Sequence, residues 1–152
     1  MSYDLNHLPE DAVIDHIVVE KSQRRMHVYS GDSLLKSYPI ALGFNPVGHK
    51  EVEGDGKTPE GLYHIDSKNP NSAYHLNLGV SYPNEKDRIC AEELGHSSGG
   101  DIKIHGLKNG MGFIGSAHRQ QDWTAGCIAV TNEEIEELYR SVPIGTPIEI
   151  KP

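Results

Sequence analysis

The sequence has little cysteine, no basic surplus and no long apolar run, and each shortage removes a class of protein. Two cysteines in 152 residues, Cys90 and Cys127, are too few for a disulfide framework or a four-cysteine zinc site. One bridge, or one reactive thiol, stays open. Lysine and arginine number 14 against 22 aspartates and glutamates, a formal charge of −8. A nucleic-acid binder carries a basic footprint, so nucleic acid is not an expected partner. The densest cationic cluster, Lys21, Arg24 and Arg25, reads as a solvated hairpin end. No apolar stretch approaches the roughly 20 residues of a membrane helix, so no transmembrane segment is expected. Residues 1–7 show neither a basic n-region nor an apolar h-region, so no signal peptide is read there. An internal protein and the mature part of an exported one both fit.

What is there suits one globular domain spanning 1–152, with 36% apolar and 24% charged residues. Its pattern is mainly β. Residues 14–20 and 25–29 are rich in β-branched and aromatic side chains, a Ser-Gly-Asp-Ser turn follows, and residues 34–42 return as a strand. Residues 43–61 are rich in glycine, proline and charge and read as a long loop. Further strands are expected over 62–66, 74–80, 102–105 and 147–150, with a short helix between Pro83 and Gly95. The best-defined helix covers residues 131–142. Thr131 and Glu134 form a capping box, and Ile135, Leu138, Tyr139 and Val142 follow at helical spacing.

The stretch Thr124-Ala125-Gly126-Cys127 places a thiol among small residues, where the backbone can turn tightly and a carbonyl can approach. The amides of Gly126 and Cys127 are candidate donors to a developing oxyanion. A thiol needs a base, and His105, at the end of Ile102-Lys103-Ile104-His105 and followed by Gly106, is the natural one. His118 competes by closeness in sequence, although it lies in a loop; it is also a candidate to line a substrate groove. Buried packing is the ordinary fate of a free cysteine, and it is the reading for Cys90. Five histidines and Cys127 supply possible metal ligands, but no pair shows ligand spacing, so no metal is expected. Gly54-Asp55-Gly56-Lys57-Thr58 lacks phosphate-loop spacing and precedes Pro59, so it is a loop.

Ile104-His105-Gly106, a loop, and Thr124-Ala125-Gly126-Cys127-Ile128 together resemble the signature of the L,D-transpeptidase (YkuD-type) catalytic domain family. Lys57-Thr58-Pro59-Glu60-Gly61-Leu62-Tyr63 is similar to that family's entry into a sheet strand, and the N-terminal hairpin matches its opening strands. The run Asp122-Trp123-Thr124 before the Gly-Cys pair, with Val130-Thr131-Asn132 after it, is similar to the YafK-like branch. The resemblance implies a β-sandwich or curved mixed sheet with long loops, and a thioester acyl-enzyme without any cofactor. Cys127 would be the nucleophile, His105 the proton carrier and Gly106 the residue whose carbonyl orients the imidazole. Thr124, Gly126 and Trp123 would shape the oxyanion and substrate site, with His118 beside them. The substrate would be a peptidoglycan stem peptide at a diaminopimelate centre, and the place the periplasm or cell envelope, with no oligomeric state implied. An amine would resolve the acyl-enzyme by transpeptidation, or water by hydrolytic release of a murein-linked lipoprotein or peptide. Where the common form has histidine before Gly-Cys and arginine soon after it, this chain has Ala125 and Ala129. That opening of the site leans toward hydrolytic release.

The contrasting expectation is a non-catalytic wall-binding module in which Cys127 is structural and Trp123, Tyr74, Tyr82 and Asn77 form a platform. Iodoacetamide separates the two readings on sequence grounds: a catalytic Cys127 should react before Cys90 and below the free-thiol pH range.

Overall fold

Alternation of buried and half-buried residues builds the first hairpin in the computed structural model, which describes residues 7–152; the leader reading of the opening segment falls largely outside them. Strand β1 (His16–Glu20) pairs antiparallel with β2 (Arg25–Ser30), and β2 with β3 (Ser33–Pro39). Ile17, Val19, Met26 and Val28 all point inward and are fully or almost fully buried. Strand β4 (Gly61–Ser72) runs well beyond the expected 62–66. Its first part pairs with one neighbour and its polar second part, Asp66 to Ser72, with another. That second part has no apolar alternation to reveal it. It is followed by β5 (His75–Val80), β6 (Lys103–His105), β7 (Ile128–Ala129) and β8 (Pro147–Lys151).

The eight strands form one sheet in the order β3-β2-β1-β8-β4-β5-β6-β7, parallel at β1–β8 and β6–β7 and antiparallel elsewhere. The sheet curls until its two edges touch. Ala41, just past β3, exchanges both backbone hydrogen bonds with Ala129 of β7, at 2.9 and 3.0 Å, and Gly43 bridges to Thr124. This mainly β, curved mixed sheet is the expected architecture. Its seam lies at the Thr-Ala-Gly-Cys turn.

Helix α1 (Glu85–Glu93) is capped by Asn84 and Asp87, and α2 (Asn132–Ser141) by the Thr131–Glu134 capping box. Ile135 and Leu138 of α2 are fully buried against β5 and β6. Two expectations are corrected. Residues 106–123 are not simply a loop, since Gly112–Gln120 folds into short 3₁₀ turns that meet at Gly115. The cationic cluster is not wholly solvated either. Lys21 is buried, and its Nζ donates to the carbonyls of Thr58 (2.6 Å) and Gly48 (2.8 Å) and to Glu60 (3.2 Å). It pins the loop after β3, because a buried ammonium must find acceptors. Arg24 clamps the Asp122 carboxylate at 2.8 to 3.2 Å, and only Arg25 is exposed as expected.

Candidate active site

Register decides which side chains meet. His105 of β6 lies opposite Ala129 of β7 and opposite Asn77 of β5. Side chains two residues apart in a strand share a face, so Cys127, Lys103, His105 and Asn77 are brought to one side of the sheet. All four line a single cavity of about 520 Å³, with Tyr74 and Trp123 forming one of its walls.

The His105 Nδ1 donates to the Gly106 carbonyl at 2.7 Å. A carbonyl only accepts, so the ring hydrogen sits on Nδ1 and Nε2 is left as the basic nitrogen. The ring lies tilted against Tyr74, with centroids 4.6 Å apart, and 5.7 Å from the Trp123 ring. Gly106 is held by its own N–H, which donates to the Tyr74 carbonyl at 3.0 Å. A Cβ there would come within 2.7 Å of Asn132 Oδ1 and 3.0 Å of Ile135 Cγ2, so only glycine fits beside α2. Burial pushes the His105 imidazole below its usual range, although its hydrogen bond to Gly106 works the other way. The ring is neutral at physiological pH.

Thr124 builds the turn before the thiol. Its hydroxyl donates to the Cys127 carbonyl at 2.7 Å and accepts from the Gly126 N–H at 3.1 Å. Gly126 has a φ of +141°, and a Cβ on it would lie 2.8 Å from the Lys57 carbonyl oxygen. It is therefore required for the close approach of loop 43–61, not for lining the cavity. The expectation that its amide faces an oxyanion is corrected, because Thr124 Oγ1 already engages that N–H. Thr124 is almost fully buried and acts on the backbone, and with its neighbour Ala125 it also lines the cavity.

The Cys127 thiol donates to the Asp101 carbonyl at 3.3 Å. Asp101 presents that carbonyl from a left-handed backbone, φ 55°. Burial pushes the thiol up, partly offset by the backbone N–H and the ammonium of Lys103 and by Lys50. Thiol and imidazole are thus both neutral at rest. This reverses the labelling expectation drawn from sequence. Iodoacetamide alkylation of Cys127 in the free protein should rise with pH about a midpoint above the usual thiol value of 9.0. Cys90, exposed on α1 and not packed in the core as expected, should be labelled first at neutral pH. Peptide mapping by mass spectrometry reads both rates; a Cys127 midpoint below the usual value would overturn the account.

The remaining candidates separate. Tyr82 leaves the site altogether: it is buried, its hydroxyl donates to the Ser98 carbonyl at 3.0 Å, and it packs edge-on against Tyr63. His118 does not face the thiol cavity. It lies beyond Trp123, whose indole N–H donates to His118 Nδ1 at 3.2 Å. Ala129 is fully buried between β6 and residue 41, which leaves no space for a longer side chain at that position. Among the described residues, no group of three or more His, Cys, Asp or Glu is gathered as metal ligands. No helix among them is long and apolar enough to cross a membrane. The sequence reading passed over Lys103 and the Asp101 carbonyl. The alternation in Ile102-Lys103-Ile104-His105 puts Lys103 on the face of His105, a signal that was available.

Residues 14–150 match the family model of the L,D-transpeptidase catalytic domain. The protein named YafK in Escherichia coli strain K12 is 29% identical over 133 residues, covering 84% of this chain and 46% of that protein. The protein named YkuD in Bacillus licheniformis is 29% identical over 147 residues, covering 93% of this chain and 68% of its own length. Among solved structures, the helical cell shape determining protein Pgp2 of Campylobacter jejuni superposes with a TM-score of 0.65 at 25% identity. That superposition covers 92% of this chain and 48% of Pgp2. The chain thus spans about half the length of YafK and of Pgp2.

Proposed function

Because this chain belongs to the L,D-transpeptidase catalytic domain family, we propose that it carries out cysteine acyl transfer on peptidoglycan stem peptides at the cell envelope, as a single catalytic domain. The observation that carries the reading is the His105 tautomer: a Gly106 carbonyl on Nδ1 leaves Nε2 bare on the face that bears Cys127. His105 Nε2 takes the proton of the Cys127 thiol as Sγ attacks the carbonyl carbon at the diaminopimelate centre. Within the turn, the Cys127 N–H is the main-chain donor that Thr124 does not engage, and it faces the oxyanion role. The tetrahedral adduct collapses with loss of the amine, which leaves carrying the proton from His105. A Cys127 thioester remains. An incoming amine or water then gives its proton to Nε2 and attacks the thioester, and the released thiolate recovers that proton.

Lys103 and the Asn77 carboxamide belong to the donor side of this reaction. Asn77 is 6% exposed, and its Oδ1 is buried without a partner. That acceptor suits a peptide N–H of the stem. Ala125 adds only a methyl group at the cavity, which supports entry of a bulky protein-linked stem peptide and favours hydrolytic release over new crosslinks. Periplasmic residence follows from the proposed substrate.

The test incubates the full chain with disaccharide tetrapeptides and with murein bearing attached lipoprotein, and reads protein and products by mass spectrometry. Expected are an adduct on Cys127 equal to the acyl fragment and release of the amine partner. Crosslinked dimers with the lipoprotein linkage untouched would reverse the preference for hydrolysis. Absence of any adduct or product would leave the wall-binding reading, which has the half-buried rings of Trp123 and Tyr74 along the cavity in its favour.

A further inference from the structure

The loop over residues 43–61 carries a buried charge pair that the acyl-transfer scheme leaves unused. Lys50 is 3% exposed, and its Nζ donates to Asp55 Oδ1 at 3.0 Å and to the Val52 carbonyl at 3.3 Å. The main chain holds the partner as well: the Asp55 carboxylate accepts from the N–H groups of Glu51, Val52 and Lys57 at 2.9 to 3.1 Å. Burial alone would raise the Asp55 carboxyl, but those N–H groups and Lys50 outweigh it and hold it below its usual range. The Gly54-Asp55-Gly56-Lys57 stretch, which is no phosphate loop, therefore folds around a carboxylate of its own and fixes one ammonium in the interior.

That ammonium is close to the nucleophile. A Cβ on Gly126 would lie 3.8 Å from Lys50 Nζ, so the charge stands directly behind the turn that carries Cys127. Lys50 does not line the thiol cavity, so its field reaches the sulfur through the turn and not through the space that substrate fills. Among the described residues its Nζ finds two acceptors for three hydrogens, and Asp55 shares its charge with three N–H groups. The positive field is thus only partly cancelled. The other ionisable groups facing the thiol are Lys103 and His105 of β6 and Asp101 just before it. His105 is neutral, and solvent screens the Asp101 carboxylate, 97% exposed, and the Lys103 side chain, 31% exposed. Buried Lys50 has no such screening.

We propose that Lys50 is a positioning residue for the thiol: its buried ammonium, fixed behind the Gly126–Cys127 turn by Asp55, stabilises the negative sulfur that forms as His105 takes the proton. Its part in turnover rests on the acyl-transfer reading above; its action on the thiol does not. A charge in that place costs no reorganisation when the sulfur becomes negative, because the loop has already paired and desolvated it.

The test alkylates the full chain with iodoacetamide across pH and reads both thiols in one digest by mass spectrometry. Cys90, exposed on α1, is the internal reference. In Lys50→Met the Cys127 midpoint should rise by about one pH unit, while Lys50→Arg should stay near wild type and the Cys90 profile should not move. The sign separates a lost charge from a damaged loop, since an opened loop hydrates the thiol and lowers its midpoint toward that of Cys90. Lys50→Met leaves a buried carboxylate without its cation, so Lys50→Met with Asp55→Asn removes both charges and should also raise the midpoint. A midpoint unmoved or lowered in that double variant overturns the inference, and so does a rise in Lys50→Arg equal to that in Lys50→Met. Loss of the fold in the double variant overturns it too, since the pair would then serve only to build the loop. With stem peptide as substrate, Lys50→Met should lower kcat about tenfold and leave KM near the wild-type value, because Lys50 touches no substrate. An unchanged kcat would remove Lys50 from the reaction. A raised midpoint in a protein that forms no acyl-enzyme would overturn acyl transfer and leave the action of Lys50 on the thiol standing.

Discussion

Cys127→Ala is expected to lower kcat/KM by about four orders of magnitude or more, because the covalent path is lost entirely. His105→Ala should cost about 10²–10⁴, the ordinary worth of a positioned general base. The double variant should be no worse than Cys127→Ala alone, since the two groups act as one unit. His105 matters more here than in a site with a preformed thiolate, because burial keeps the thiol protonated at rest. Melting curves should change little for Cys127→Ala, whose side chain fills no core position. Product formation by mass spectrometry, with melting as the folding control, checks both statements. Activity within tenfold of wild type in folded Cys127→Ala would end the nucleophile assignment, and the same result for His105→Ala would end that of the base.

The largest stability effect is expected far from the thiol, at Glu137. One carboxylate oxygen accepts from Lys36 Nζ at 2.7 Å and from the Tyr38 hydroxyl at 2.9 Å. The other accepts from the His7 ring at 3.0 Å and the Leu8 N–H at 3.2 Å. Helix α2, strand β3 and the N-terminal segment therefore converge on one buried acid. Glu137→Ala should cost about 3 kcal/mol, because it removes the acceptor of the buried Tyr38 hydroxyl and of the buried Leu8 N–H. For a chain of this size that is a drop of about 6–12 °C in Tm. Burial alone would raise the Glu137 pKa, but the hydrogen bonds from Lys36, Tyr38 and His7 outweigh it and hold it below the usual value of 4.5. A carboxylate depressed in the folded state stabilises above its unfolded pKa. That contribution fades as pH falls from about 4.5 through the folded value. Urea unfolding at pH 7 and at pH 3 reads it: the gap between wild type and Glu137→Ala should shrink at the lower pH. An equal gap at both would show that the carboxylate's charge is not what matters there.

Several features were determined by the sequence alone. The alternation of Ile17, Val19, Met26 and Val28 makes the first hairpin, since a period of two lets only one face be buried. Thr131 and Glu134, followed by Ile135 and Leu138 at helical spacing, set α2 and its buried face. The pairing of a strand-end His-Gly with a small-residue turn ending in Cys127 named the two groups that share a cavity. The strand, helix and turn signals are each local, although the His-Gly strand end and the Cys127 turn lie 22 residues apart in the chain.

Only the tertiary structure decided the rest. β8, last in the chain, lies in the middle of the sheet between β1 and β4, and the polar end of β4 is a strand because β5 lies beside it. Lys21 reads as a solvated charge in sequence and is buried, and Glu137 is buried too, because partners 27 to 130 residues away supply their hydrogen bonds. Gly126 was read as an oxyanion donor until Thr124 Oγ1 claimed its N–H. His118 looked like a rival base until Trp123 stood between it and the thiol. Composition and periodicity report what a residue prefers among its chain neighbours. Whether a polar group is buried, and which atom it bonds, depends on groups distant in sequence that only folding brings within about 3 Å.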